Sequence, residues 1–427
     1  MAIGIAANMS FNIIDTYFIS LLGNEQLTAI SFSYPVVMIL LNLSIGFAIG
    51  VNSVLSRMLG SGKEAEVKRA STVSILVGFS SAFILVIIGI FTIDPLFTLM
   101  GATTKQLTYI NQYMVYAYIG MGFRMCSLSI AGTYRAHGIT KIQSYSIILA
   151  TVINSVLDPL LIFGFSFIPA FGIEGAGFAT MIANLFAFSA EFSIAAFKYE
   201  FFAPLKELTK EAFAPLKRIL LIAAPAAFSN ALNPISLSIA NYFLALKNTD
   251  LVAGLGIAAK VQVFTMIPIL ALSVGVGPIV GQNFGNKNYG RVKETIFTSL
   301  KFALAYGLIQ ILVLTIFSDS IAGYFSQDTK TLSYAEDFLF YIAFTLFGYS
   351  FVIIISSLFN AIDRPISALV IIALRAIILF VPIYYFLVFI EIDRPVIYSM
   401  AISNILAGLI SYLLFSKTLK QKDYSNS

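Results

Sequence analysis

Long apolar runs separated by short polar loops recur along the whole chain. They fall near 1–22, 28–56, 71–93, 108–131, 143–165, 176–197, 219–245, 251–280, 295–317, 335–359, 366–389 and 396–416. A helix needs about 20 apolar residues to cross a bilayer, so the pattern predicts twelve membrane-spanning helices. The second and eighth runs are longer, which predicts tilt. The loops between them are unequal in charge. With the N-terminus inside, the inner loops and tail hold 18 Lys and Arg, whereas the outer loops hold four: Lys105, Lys247, Lys330 and Arg394. Basic residues stay on the cytoplasmic side, so both termini are expected there, in a multi-pass protein of the inner (plasma) membrane.

Composition narrows the class. The chain has 427 residues, 59% hydrophobic and 11% charged, against about 25% charged in soluble domains. A large soluble enzyme, a disordered chain and a nucleic-acid binder are excluded. The net charge of +5 follows from the loop bias and does not imply an acidic partner. One cysteine, Cys126, leaves no disulfide framework, and one histidine, His137, leaves no His-rich metal site. The first apolar run passes into a polar loop without a small-residue cleavage site, so it reads as a span, not a signal peptide. Gly60-Ser-Gly-Lys63 lacks the remaining residues of a phosphate loop. No His-Glu-x-x-His or Gly-x-Ser-x-Gly pattern occurs. Catalytic residues, a resident metal and an organic cofactor are therefore not expected.

The chain also repeats itself. At an offset of 225 residues, Ala48-Ile-Gly-Val51 meets Ser273-Val-Gly-Val276, and Ile14, Tyr17 and Phe18 meet Ile239, Tyr242 and Phe243. Val67, Lys68 and Ala136 meet Val292, Lys293 and Ala361. Weak internal symmetry of this kind is typical of transporters. Six spans precede the shift, so the halves have the same orientation. The expectation is an all-α membrane protein of twelve transmembrane helices in two pseudo-symmetric six-helix lobes. The lobes are residues 1–197 and 219–416, with a cytoplasmic linker 198–218 and a tail 417–427. The segment Phe201–Lys217 reads as an interfacial amphipathic helix. At about 1.5 Å per residue the first run still reaches across a bilayer, although it lacks counterparts of Arg218 to Pro225.

Polar residues inside spans are costly and point to function. Three acids are clearly interior: Asp15, Asp158 and Glu191. Asp15 shares a helical face with Asn8 and Asn12, and Asp158 shares one with Thr151 and Asn154. Thr180 and Asn184 form an i, i+4 pair on the sixth span. All eight residues belong to the first half; Ala240 and Ile383 stand where the repeat would put the two aspartates. Packing alone does not ask for that asymmetry. Such carboxyls can take up a proton on one side and release it on the other, and their oxygens, with Asn154, are also ligands Na⁺ would accept. Glu191, near the inner end of its span, reads as a snorkelling residue or a partner for a base. Arg124, Lys301, Arg375 and Lys260 lie within reach of a membrane surface by snorkelling; facing inward instead, Arg124, Lys260 and Arg375 would suit an anion.

Several stretches carry a family resemblance. Asn12-Ile-Ile-Asp-Thr-Tyr-Phe18 with Leu22-Gly23 resembles the first span of MATE (multidrug and toxic compound extrusion) transporters. Tyr134-Arg-Ala-His-Gly138, Asn154-Ser-Val-Leu-Asp-Pro-Leu160 and Gly172-Ile-Glu-Gly-Ala176 are similar to its segment from span four to six, and Val276-Gly-Pro-Ile-Val-Gly-Gln-Asn-Phe-Gly285 to the end of its eighth. Asp15 with Asn154 and Asp158 is similar to the DinF-like prokaryotic branch, and span seven lacks the acid of the NorM-like branch. The resemblance implies a secondary antiporter that exports hydrophobic organic cations or drugs by alternating access, with H⁺ ahead of Na⁺ as coupling ion. It implies Asp15 as the principal coupling carboxylate, tuned by Asp158, and it places Tyr113 beside the pair. Asn8, Asn12, Thr151, Thr180 and Asn184 would line the cavity. A monomer among membrane lipids is expected. The alternative is a flippase of an anionic lipid-linked saccharide.

Overall fold

The computed structural model describes residues 1–166, 168–325 and 328–423; within these, the side chains at 12, 249, 325 and 419–423 lie outside the description. Among the described residues the regular secondary structure is helical, apart from one isolated antiparallel bridge between Phe165 and Ile168. The first helices are α1 (Ala2–Ser20), α2 (Asn24–Gly60), α3 (Glu64–Phe91), the short α4 (Ile93–Leu99), α5 (Thr104–Ala136), α6 (Lys141–Phe163), α7 (Ile173–Ser193) and α8 (Ala214–Ala245). They are followed by α9 (Thr249–Thr265), α10 (Ile267–Gly285), α11 (Tyr289–Phe325), α12 (Thr329–Ala343), α13 (Leu346–Ala361), α14 (Pro365–Ala373), α15 (Phe380–Phe389) and α16 (Pro395–Asp423). Among the described residues eleven helical stretches are long and apolar enough to cross a membrane, and α12 with α13, bent by 62°, makes a twelfth. This is a multi-pass membrane protein. Many of its large apolar side chains point outward, among them Phe83, Phe91, Phe197 and Phe389, as a lipid-facing surface requires.

Local chemistry sets the helix ends. Thr103 and Gln106 form a reciprocal cap at the start of α5: the Gln106 amide donates to Thr103 Oγ1 at 3.4 Å and the Thr103 amide donates to Gln106 Oε1 at 2.9 Å. Gly164 ends α6 and Gly172 precedes α7, both at positive φ (77° and 60°), a conformation that penalises residues with a Cβ. The eighth apolar run, read in sequence as one tilted helix, is two helices that meet at Met266. Pro268 at the second position of α10 has no N–H to continue the α9 ladder.

The segment Phe201–Lys217 does not form the expected amphipathic helix. It runs as an irregular stretch with two 3₁₀ turns, Leu205–Glu207 and Lys210–Phe213, before α8 begins. Pro204 disfavours helix in the residue before it. Ala203 is tied instead to α3: its amide donates to Thr72 Oγ1 at 2.9 Å, and that hydroxyl donates to its carbonyl at 3.2 Å. Phe201 is buried among Tyr134, His137 and Tyr199.

Two compact units result, Met1–Ala227 and Phe228–Ser427. In the first, α5 is the central helix, packed on α2, α3 and α7, while α6 lies between α1 and α7. Gly46 and Gly50 let α2 approach the start of α8 so closely that a Cβ at either would collide with the Ala223 or Ile219 carbonyl. In the second unit, α13 packs on α10, α14 and α16, and α9 on α12. Its largely aliphatic core also holds aromatic side chains, with Phe338, Phe359 and Phe380 fully buried and Phe243 stacked on Tyr384 at 3.8 Å.

Candidate cation-coupling site

The first unit gathers two of its three interior acids, Asp15 and Asp158, where α1, α5, α6 and α7 meet. Asp158 is fully buried and Asp15 is 7% exposed. Asn154, one turn before Asp158 on α6 and also fully buried, donates from Nδ2 to Asp158 Oδ1 at 3.0 Å, with a longer contact to Thr180 Oγ1 on α7 at 3.4 Å. Asp15 on α1 and Asp158 on α6 lie within electrostatic range of each other. The buried Tyr113 on α5 is in range of both. Gly177 makes that approach possible, since a Cβ there would strike the Tyr113 carbonyl.

The remaining oxygens are the informative ones. Asp15 Oδ1, Asp158 Oδ2 and Asn154 Oδ1 are buried and accept no hydrogen bond among the described residues. Buried polar atoms are nearly always satisfied. Three acceptors left open in one place, two of them on carboxyls, suit a small cation, either a proton or a sodium ion.

The other sequence candidates sort into two groups. Thr151 Oγ1 donates to Ala7 O on α1 at 3.2 Å and to Ile147 O at 2.8 Å, so it fastens α6 to α1 beside the acids. Asn8, on the Asp15 helix, accepts from Arg124 Nη2 at 2.9 Å. Asn184 donates to Thr180 O on its own helix at 2.9 Å and is not brought to the acids by this bond. The Asn12 side chain lies outside the described residues.

A second polar cluster forms around Glu191, which the sequence offered as a snorkelling residue or a partner for a base but did not join to particular residues. Glu191 on α7 is 1% exposed, accepts from the Ser127 hydroxyl, and has Arg124 and Arg135 within electrostatic reach. Tyr134 donates its hydroxyl to the Glu191 carbonyl at 2.9 Å, and Arg135 Nε donates to Gln143 Oε1 at 2.9 Å. The arginines are thus held inside the unit, not extended to a membrane surface. The signal was there in principle: Arg124, Ser127 and Glu191 all sit in spans, but which helix faces meet is not a property of one helix. By contrast, Lys260 and Lys301 are exposed.

A family model described as MatE matches residues 1–160 and 225–386, which is most of the chain. This chain belongs to the MATE family. The two matched blocks begin 224 and end 226 residues apart, bracketing the internal offset. Among curated relatives of this MATE protein, an FAD transporter from Shewanella oneidensis is 32% identical over 96% of the chain and 91% of its own length. The multidrug export protein MepA of Staphylococcus aureus is 25% identical over 97% and 91%. Solved structures share the fold: the Vibrio cholerae MATE transporter VcmN in its bent form superposes with a TM-score of 0.93 at 24% identity, over 99% of this chain and 95% of that one. A MOP superfamily transporter from Pyrococcus furiosus gives 0.89 at 21% identity, over 98% and 94%. The protein is a transporter, not an enzyme.

Proposed function

We propose that this MATE protein is a secondary active antiporter of the plasma membrane, with both termini cytoplasmic. It exports organic cations and drugs in exchange for H⁺ by alternating access of its two halves. The observation that carries the coupling is the set of open acceptor oxygens on Asp15, Asp158 and Asn154. A proton on this pair satisfies at least one open oxygen and removes a buried charge, which is otherwise expensive. Release of the proton restores a negative site. Proton and cationic substrate then exclude each other by charge, which is what exchange requires. Moving one charge through 100 mV supplies about 2.3 kcal/mol. The MepA relatives support drug substrates.

The test is transport of a fluorescent organic cation into proteoliposomes under a pH gradient or a Na⁺ gradient applied separately. Wild type should respond to the pH gradient and Asp15→Asn should not. Normal gradient-driven transport by Asp15→Asn refutes the assignment; response to Na⁺ alone refutes proton coupling.

A second substrate class has its own support. The Shewanella relative is an FAD transporter, so export of anionic flavin nucleotides is a reading of this chain as well. The lipid-linked saccharide flippase has less behind it. Of the three basic side chains it needs, Arg124 is engaged with Asn8 and Lys260 is exposed, which leaves Arg375.

A further inference from the structure

Arg375 stands in the second unit within a π-helical turn, Leu374–Ile378, that joins α14 to α15. Such turns inside α-helical spans recur at functional sites. It lies about 15 Å along the helix from Pro365 by the usual rise, deep within the span, and it is 93% buried, with 7% of its surface exposed. Three elements hold it. Nη2 donates to Asn233 Oδ1 on α8 at 2.7 Å, Nη1 donates to Asn404 Oδ1 on α16 at 3.2 Å, and the guanidinium lies over the Tyr349 ring of α13 at 3.8 Å. Asn404 is itself oriented, donating from Nδ2 to Thr345 Oγ1 at 3.1 Å. Nε is buried and has no hydrogen-bond partner among the described residues.

The repeat gives this arrangement its meaning. At the 225-residue offset Asn233 corresponds to Asn8, Tyr349 to Arg124 and Arg375 to Ala150. Each unit therefore has a guanidinium donating to the asparagine of its first span, at 2.9 Å in one and 2.7 Å in the other. In the first unit Arg124 shares its interior with the carboxyl of Glu191. In the second, no carboxylate among the described residues pairs with Arg375; two amide oxygens and one ring face are its partners. Amide oxygens satisfy N–H donors without cancelling the charge. An unneutralised cation in a buried setting is costly, and the cost falls when an anion arrives. Asn233 and Tyr349 are only half-buried, so the site has an approach.

We infer that Arg375, oriented by Asn233, Asn404 and Tyr349, binds a phosphate or carboxylate group of the exported molecule. The inference rests on the second, anionic-substrate reading above for the identity of the exported molecule; the binding site itself does not. Arg375 offers Nε as a free donor, and a bound oxyanion competes with the amide oxygens for the two Nη groups. The acidic first half and the basic second half would then serve different ions, coupling cation and anionic substrate.

The experiment is equilibrium binding to the purified full chain in detergent, without any gradient, so its outcome is independent of the transport test. The probes are flavin mononucleotide and riboflavin, which share one ring and differ by a phosphate. Wild type should bind flavin mononucleotide at least about tenfold more tightly than riboflavin, equivalent to about 1.4 kcal/mol. In Arg375→Met that ratio should fall to about one, and Arg375→Lys should recover part of it, by general charge attraction. Asn404→Asp is the second variant. It keeps the polar contact, supplies an internal carboxylate to Arg375, and should abolish the preference in a folded protein with unchanged helical circular dichroism. Equal binding of both probes by wild type overturns the inference. So does an undiminished preference in Asn404→Asp, or a loss in Arg375→Met shared equally by both probes, which would mark a helix clamp. Displacement of flavin mononucleotide by phosphatidylglycerol micelles, lost in Asn404→Asp, supports the anion site with a lipid headgroup as its source. Absence of displacement supports a soluble anion.

Discussion

The Asn154–Asp158 hydrogen bond is the contact on which the coupling site turns, and its strength can be worked out. Truncating Asn154 to alanine removes the 3.0 Å bond to Asp158 Oδ1 and the 3.4 Å contact to Thr180. Asp158 Oδ2 already lacks a donor among the described residues, so the variant leaves a fully buried carboxyl without one. A hydrogen bond to a charged group is worth about 1.5–3 kcal/mol, and one between neutral groups about 0.5–1.5. The coupling energy between the two residues thus reports the charge state of Asp158. The assay is a double-mutant cycle of Asn154→Ala and Asp158→Ala, with unfolding in mixed dodecylsulfate micelles followed by circular dichroism at pH about 5 and about 9. The expected coupling is about 1 kcal/mol at the acid end, rising above about 1.5 at the alkaline end. A coupling below about 0.3 kcal/mol at both values would refute the bond. A constant coupling would refute a change of protonation at Asp158 over that range, and with it the proposed proton exchange there.

Two further predictions test the frame around the sites. A Cβ on Gly348 would collide with the Asn404 carbonyl across the α13–α16 contact, so Gly348→Val should lower stability by about 1–3 kcal/mol, measured by the same unfolding assay. His137, just past the end of α5, is stacked on Phe201 at 4.3 Å, and its Nδ1 lies 2.9 Å from Thr133 O. Burial is the leading influence on its pKa and lowers it from the usual 6.5. A depressed imidazole contributes stability above that usual value, and the contribution is lost as pH falls through the folded-state value. Wild type should therefore lose thermal stability on acidification below pH 6.5, and His137→Phe, which keeps the stack, should lose less; equal acid sensitivity refutes the assignment.

The sequence alone carried the number of spans, the repeat and the asymmetry of interior acids. Each is local or one-dimensional. A bilayer imposes length and hydropathy on every span separately, and an i, i+4 pair such as Asn154 and Asp158 is fixed by helical rise within one element. The tertiary structure decided what depends on two helices at once. It turned Arg124 inward to Asn8, 116 positions away in the chain, and set Glu191 between Ser127 and two arginines. It folded Phe201–Lys217 back onto α3 instead of into a surface helix, split the eighth span at Met266, and stacked Arg375 on Tyr349. Snorkelling and inward burial are both open to a long basic side chain, and hydropathy is the same for either. Only the facing helix, with its asparagines and its ring, decides between them, because the energy of a buried charge is set by the groups packed against it.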